Sequence, residues 1–164
     1  MNVIGIDPGH TQSAVVHLVE NRIVFKGKFG NEQVRFMLSS SPGFPFVGTA
    51  NDLLSADVLL IEKIASYGMP VGEEVFETVY WSGRFAESWK GRLERLTRNQ
   101  VKMALCYRTK GVNDSVIRQR LIDMHGGKAV AIGNKKQPGP LYGVKADEWA
   151  ALALVKAWLC GRGL

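Results

Sequence analysis

Residues Ala56–Ile61 read Ala-Asp-Val-Leu-Leu-Ile and run straight into Glu62. A half-exposed strand would alternate apolar with polar side chains, whereas an unbroken run of this kind suits a central strand covered on both faces. The chain must therefore build a sheet between two layers. It must also place an acid at the end of the most buried strand, where the backbone is still part of the ladder.

The remaining segments fit around that strand. Asn2–Asp7 is a second apolar run that ends on a carboxylate and leaves into Asp-Pro-Gly, a turn signal. Ser13–Val19 and Arg22–Phe29 flank Glu20-Asn21 as two hairpin arms flank a tight turn. Asn31–Leu38 reads as a short helix, and Ser39–Gly48 and Ser66–Gly72 read as loops. Glu73–Trp89 is a helix with acids at its start, where the helix dipole favours them. Leu93–Thr97 is a further strand. Asn99–Leu105 and Asp114–Met124 are helices, the second capped by Asn113. Lys128–Ile132 is a short strand candidate, followed by a Pro- and Gly-containing loop, Asn134–Gly143. Ala146–Leu159 is apolar on nearly every face, as a buried helix must be. Strands first, then alternating helix and strand, predict an α/β fold with a mixed sheet, residues 1–164 forming one domain.

Charge is divided unevenly. Residues 1–83 hold 5 Lys/Arg and 9 Asp/Glu, a net −4, while residues 84–164 hold 16 and 6, a net +10. An acidic half beside a basic half fits a carboxylate centre flanked by a polyanion-binding surface, and equally a solvated basic face. No apolar run approaches the roughly 18 residues that span a bilayer. No basic stretch precedes the first strand, so neither a membrane partner nor a secretion signal is expected, and the cytoplasm is the expected compartment. Cys106 and Cys160 follow no metal or redox spacing and read as free buried thiols.

Three acids stand at special places. Asp7 and Glu62 end the two most apolar strands; if those strands are neighbours, both carboxylates project at one sheet end. Asp147, with Glu148 beside it, opens the last helix after a long loop. Carboxylates gathered this way repel one another and are costly to half-bury unless cations hold them together. Hard oxygen donors that leave room for water and phosphate suit Mg²⁺, with Mn²⁺ as a substitute. Two such ions about 4 Å apart support phosphodiester cleavage. Each acid has a plainer reading as well. Asp7 before Pro-Gly can be a turn residue, and Asp147 can be an acid favoured by the helix dipole. Glu62 is harder to explain as structure, and the chemical reading rests on all three together.

Ile4-Gly5-Ile6-Asp7-Pro8-Gly9, with Ser13 six positions after the acid, resembles the opening of the RuvC Holliday junction resolvases. Leu60-Ile61-Glu62 resembles their second acidic motif. Val101-Lys102, Asn113-Asp114 and the helix Ile117–Asp123 resemble their late basic region. Ala146-Asp147-Glu148-Trp149-Ala150-Ala151-Leu152-Ala153 resembles their C-terminal acidic helix. Order and spacing hold across nearly the whole chain, and the divergent, phage-borne members are the nearer likeness.

The resemblance implies a ribonuclease H-like fold: a mixed five-stranded sheet, its three N-terminal strands antiparallel, flanked by helices. It implies a homodimer that binds four-way and other branched DNA. Paired nicks would leave 5′-phosphate and 3′-hydroxyl ends, with two Mg²⁺ per site. Asp7 would bridge the metals, and Glu62 and Asp147 would each complete one side. One position departs. The family's last helix usually carries two acidic or His/Asp positions one turn apart, and the second falls on Ala150. Either Glu148 substitutes, or three acids suffice, or the protein binds junctions with weakened or no cutting.

Lys145, near Asp147, is a candidate for stabilising developing charge. Lys102, Lys110 and Arg118 are candidates for DNA contact, with surface solubility as their plain alternative. The family's base-handling aromatic falls on Ala65; Tyr67, two residues on, is a candidate for stacking on an unpaired base, or else a packed loop residue. Val75, Phe76, Val79, Tyr80 and Ala86 give Glu73–Trp89 an apolar surface for a dimer interface or for burial against its own chain. Two rival readings stand beside these. A sugar kinase or actin-like ATPase also opens with Asp-x-Gly, but its second phosphate-binding half does not appear. A nuclease of the same fold acting on flaps or RNA–DNA hybrids differs only in surface shape.

Overall fold

The computed structural model describes residues 1–39, 56–66, 68 and 70–163. Tyr67 and nearly all of the expected Ser39–Gly48 loop lie outside the described residues. Five strands are formed: β1 (Asn2–Asp7), β2 (Gln12–Val19), β3 (Arg22–Gly30), β4 (Val58–Lys63) and β5 (Arg92–Thr97). They make one sheet in the order β3-β2-β1-β4-β5. β1, β2 and β3 are antiparallel neighbours, while β4 runs parallel to both β1 and β5. The most apolar strand is thus covered on both edges as well as both faces. β2 turns into β3 through Glu20-Asn21, whose φ angles of 48° and 69° are those of a two-residue turn that follows the strand twist.

The helices are α1 (Asn31–Ser39), α2 (Glu73–Ser88), α3 (Arg98–Cys106), α4 (Asp114–Met124), α5 (Lys128–Ala131) and α6 (Glu148–Cys160). Side chains along a strand alternate between faces, and the two cores sort by that rule. Ile4, Ile6, Leu59 and Ile61 pack with Val34, Met37 and Leu38 of α1 and with Phe85 of α2. Val3, Val58 and Leu60 pack on the other face with α3, α4 and α6. In α6 every residue but Ala150 and Cys160 is buried, which explains its all-round apolar sequence. It lies close on β1 because Gly5 has no side chain. A Cβ there would stand 2.5 Å from Val155 Cγ2 and 2.7 Å from the Ala151 carbonyl oxygen.

Three sequence expectations are corrected. Lys128–Ile132 is not a strand but the helical turn α5. Gly127, with φ 83°, redirects the chain, and the Ala131 and Ile132 amides bond back to the Gly127 and Lys128 carbonyls. Ala131 is buried while Val130 is exposed, so this run buries one small contact and had no second face to fill. The last helix begins at Glu148, with Asp147 as its cap, rather than at Ala146. Both cysteines are free thiols, but Cys160 is exposed and Cys106 only half-buried.

Candidate functional site

Odd positions of β1 and even positions of β4 face α6, so Asp7 and Glu62 fall on the same side of the sheet. The parallel register pairs Ile6 with Ile61, and the two acids follow one step later. β2 and β3 extend the row: Ala14 lies beside Asp7, and Lys28 beside Ala14. Ala14 is small enough to leave the space above it open to a neighbouring side chain. From above the row, α6 contributes Asp147 and Ala150. A cleft of about 270 Å³ results, lined by Asp7, Glu62, Asp147, Arg98, Asp114 and Ala150 among others.

The plain structural alternatives for these acids are taken by other residues. The loop after Asp7 is pinned by Ser13, whose hydroxyl accepts the Gly9 amide and donates to Asn31 Oδ1 at 2.7 Å, and by Asn31 Nδ2, which donates to the Gly9 carbonyl. Asp147 occupies the cap position of α6 but makes no capping hydrogen bond. Its neighbour Glu148 is buried, accepts the Lys145 amide at 3.0 Å and lies 3.6 Å from Lys26 Nζ. Glu148 is thereby turned to Lys26 and the preceding turn, and it does not line the cleft. The backbone just before Asp147 is unusual: Ala146 has φ 44°, a left-handed conformation that costs a non-glycine residue roughly 1 kcal/mol.

The electrostatics of the cleft are those of acids crowded together. The Asp7 carboxyl is pushed up to about 7. Burial is the main cause, and the Glu62 and Asp147 carboxylates follow, with Arg98 acting the other way. Glu62 is also raised, again chiefly by burial, against the pull of Arg98 and Lys102. Two cations already engage this set. Lys28 Nζ donates to Asp147 Oδ2 at 2.6 Å, and Arg98 Nη1 stands 3.7 Å from Glu62 Oε2 while its Nη2 bonds Asp114. Among the described residues, no three His, Cys, Asp or Glu side chains converge at ligand geometry. The donor set is nonetheless all oxygen and partly desolvated, the kind of ligand that suits Mg²⁺ or Mn²⁺.

The other sequence candidates are distributed around this cleft. Lys102 is close enough to lower Glu62. Arg118 lies over the ring of Trp149, 4.9 Å from its centre, and Trp149 lines the cleft. The Lys145 residue precedes Asp147 by two positions and is exposed. Lys110 sits on the exposed turn after α3, away from the cleft lining. The sequence reading did not assign Arg98 and Asp114 to the cleft. A signal for Arg98 was present, since Thr97-Arg98-Asn99-Gln100 is a capping box directly after a strand and starts a helix at the sheet end that holds Glu62. Asp114 reads from sequence as an ordinary helix-start acid. On α2, Phe76, Val79 and Tyr80 are exposed while Ser82 and Phe85 face inward. Among the described residues no helix is long and apolar enough to cross a membrane.

No family model matches the sequence, and no curated protein matches it. Solved structures do. A structure of RuvC from Thermus thermophilus superposes with a TM-score of 0.63 at 16% identity, over 99% of this chain and 96% of that one. T. thermophilus RuvC in complex with a Holliday junction substrate superposes with a TM-score of 0.56 at 17% identity, over 99% and 95%. Both share the mixed five-stranded sheet with flanking helices, and the chain has the RuvC-like, ribonuclease H-like fold.

Proposed function

We propose that this chain is a divalent-metal-dependent endonuclease that nicks branched DNA, four-way junctions foremost, and works as a homodimer. The state of Asp7 carries the reading. A carboxyl pushed up to about 7 by burial and by the neighbouring acids Glu62, Asp147 and Asp114 is a poor structural element and a good cation site. Asp7, Glu62 and Asp147, which line one cleft, would hold the ions. Bound there, Mg²⁺ or Mn²⁺ would supply positive charge that acidifies the attacking water and stabilises the departing 3′ oxygen.

The chain's own residues do the remaining work. Asp7 has to be ionised, which sets a lower pH limit on activity. Ala150, a small residue lining the cleft, leaves room beside the acids for a phosphate. Lys102 and Arg118 hold the backbone at the cleft margin, Lys110 extends the basic surface, and Lys145 is the nearest lysine in sequence to Asp147. The products carry 5′-phosphate and 3′-hydroxyl ends. The junction is the favoured substrate because one structural neighbour was solved on a Holliday junction.

One observation favours a second reading, in which the protein binds junctions without cutting them. Ala150 lines the cleft where a further α6 acid is expected. A four-way junction labelled on each strand in turn, incubated with Mg²⁺ or Mn²⁺ beside flap and RNA–DNA substrates, separates the two. Paired nicks on opposing junction strands, absent in Asp7→Asn, are expected. Tight binding with no cutting by the parent protein favours the second reading. Undiminished cutting by Asp7→Asn removes the proposed site altogether.

A further inference from the structure

We propose that Arg98 is the built-in counter-ion of the metal-free cleft, displaced from Glu62 when divalent ions bind and thereby released to a phosphate of the DNA. The inference rests on the metal-dependent reading above.

Arg98 is the first residue of α3 and follows β5 with no intervening loop. Thr97 and Gln100 cap each other's backbone across this junction, so the side chain starts from a fixed point. Its guanidinium faces acids from two other elements, Glu62 of β4 and Asp114 at the start of α4. The two partners differ in kind. The Glu62 side chain is 12% exposed and that of Asp114 is 86% exposed. An exposed pair contributes little, whereas a desolvated carboxylate left without a cation is costly. Glu62 is therefore the acid that needs Arg98, while the hydrogen bond to Asp114 adds little stability but sets the direction of the guanidinium.

A divalent ion on Glu62 changes that balance. It brings a larger charge to the same oxygens and repels the guanidinium beside it. Arg98 then loses its reason to stay at Glu62 while Asp114 still sets its direction beside the cleft. A planar guanidinium there is matched in shape to a phosphate. The plain alternative is a static ion pair that fastens α3 to β4, which predicts no link to metal uptake.

Calorimetric titration of Mn²⁺ into the full chain, without DNA, tests this. Parent, Arg98→Gln, Arg98→Lys and Lys102→Gln are compared, since Lys102 acts on Glu62 through space and controls for charge alone. Arg98→Gln is expected to bind Mn²⁺ roughly five- to tenfold more tightly, and Lys102→Gln less than about twofold more tightly. Junction binding in Ca²⁺ should weaken in Arg98→Gln but not when EDTA replaces the metal. Equal Mn²⁺ affinity in parent and Arg98→Gln, or an equal gain in Lys102→Gln, overturns the inference and leaves the metal reading standing. No uptake by any variant overturns both. A thermal melt checks that Arg98→Gln folds; failing that, Arg98→Lys must show a shift in the same direction of about twofold, and an unchanged affinity there overturns the inference.

Discussion

Asp7 and Glu62 stand on adjacent parallel strands, one residue past the Ile6–Ile61 pair, and both turn toward α6. Neither strand alone makes a site of its acid. The register does, because it puts two carboxylates within electrostatic reach and buries them under one helix.

That proximity has a pH signature. The Asp7 carboxyl has an ordinary value of 3.8 and is raised to about 7 in the folded protein. The folded state thus holds this proton more tightly than the unfolded state, and stability falls as pH rises from about 4 to about 7. Glu62 is raised too and adds in the same direction. Metal-free parent protein is expected to lose on the order of a few kcal/mol over that range relative to Asp7→Asn. Thermal unfolding in EDTA at pH 5 and pH 7.5 measures it. Mn²⁺ should remove the deficit at pH 7.5, since an ion relieves the same repulsion. Asp7→Asn should be the more stable protein at neutral pH while its nicking drops by roughly 10² or more. A parent protein as stable at pH 7.5 as the variant would contradict the crowding of these acids.

The basic margin makes a separate prediction. Arg118 lies over the Trp149 ring beside the cleft, so it is positioned rather than free. Arg118→Ala should weaken junction binding and reduce the slope of log affinity against log salt by about one. Lys110→Ala should do the same more weakly, because Lys110 does not line the cleft. Fluorescence anisotropy at several salt concentrations reads both. An unchanged slope in Arg118→Ala would remove it from the DNA surface.

The outer face of α2 carries the proposed self-association. Phe76 is 64% exposed and Tyr80 55%, and a continuous apolar surface of that kind is uncommon on a protein that stays alone. Phe76→Asp with Tyr80→Asp should shift the elution of the protein in size-exclusion chromatography from dimer to monomer and leave its melting temperature nearly unchanged. A parent protein that runs as a monomer at micromolar concentration would dispose of the homodimer.

The contact of β1 with α6 sets the height of the cleft. A methyl group at Gly5 would meet Val155 and the Ala151 carbonyl far inside contact distance. Gly5→Ala should cost roughly 1–3 kcal/mol by overpacking. It should also lift Asp147 away from Asp7, so that nicking falls further than the loss of stability explains. Urea denaturation paired with activity on folded protein separates the two effects.

Much of this was legible before any coordinates. The central strand ending in Glu62, the Glu20-Asn21 hairpin and the buried last helix all follow from apolar patterning, which reports burial directly. Asp7, Glu62 and Asp147 were legible as a set because each stands at the end or start of a strongly patterned element. What patterning cannot supply is the partner of each charge. The offset of about 100° between neighbouring helix positions favours Asp147 over Glu148 in sequence, but only the fold shows that Glu148 is taken up by Lys26 and the preceding turn. Arg98 and Asp114 belong to different helices, and only the packing of α3 against α4 brings them together. Lys128–Ile132 failed as a strand because a five-residue apolar stretch has no period long enough to tell a turn of helix from a strand.

The separation of the two sheet faces has one more consequence. Asp7 and Glu62 owe their shared side to the odd or even count of residues along β1 and β4. Insertions in the connecting loops leave that parity intact, however long they grow. Deleting a single residue inside either strand would carry one acid through the sheet to the side of α1 and α2, away from the other acids of the cleft. The chemistry of this chain therefore tolerates drift in its connections and forbids a slip of one position in two six-residue segments.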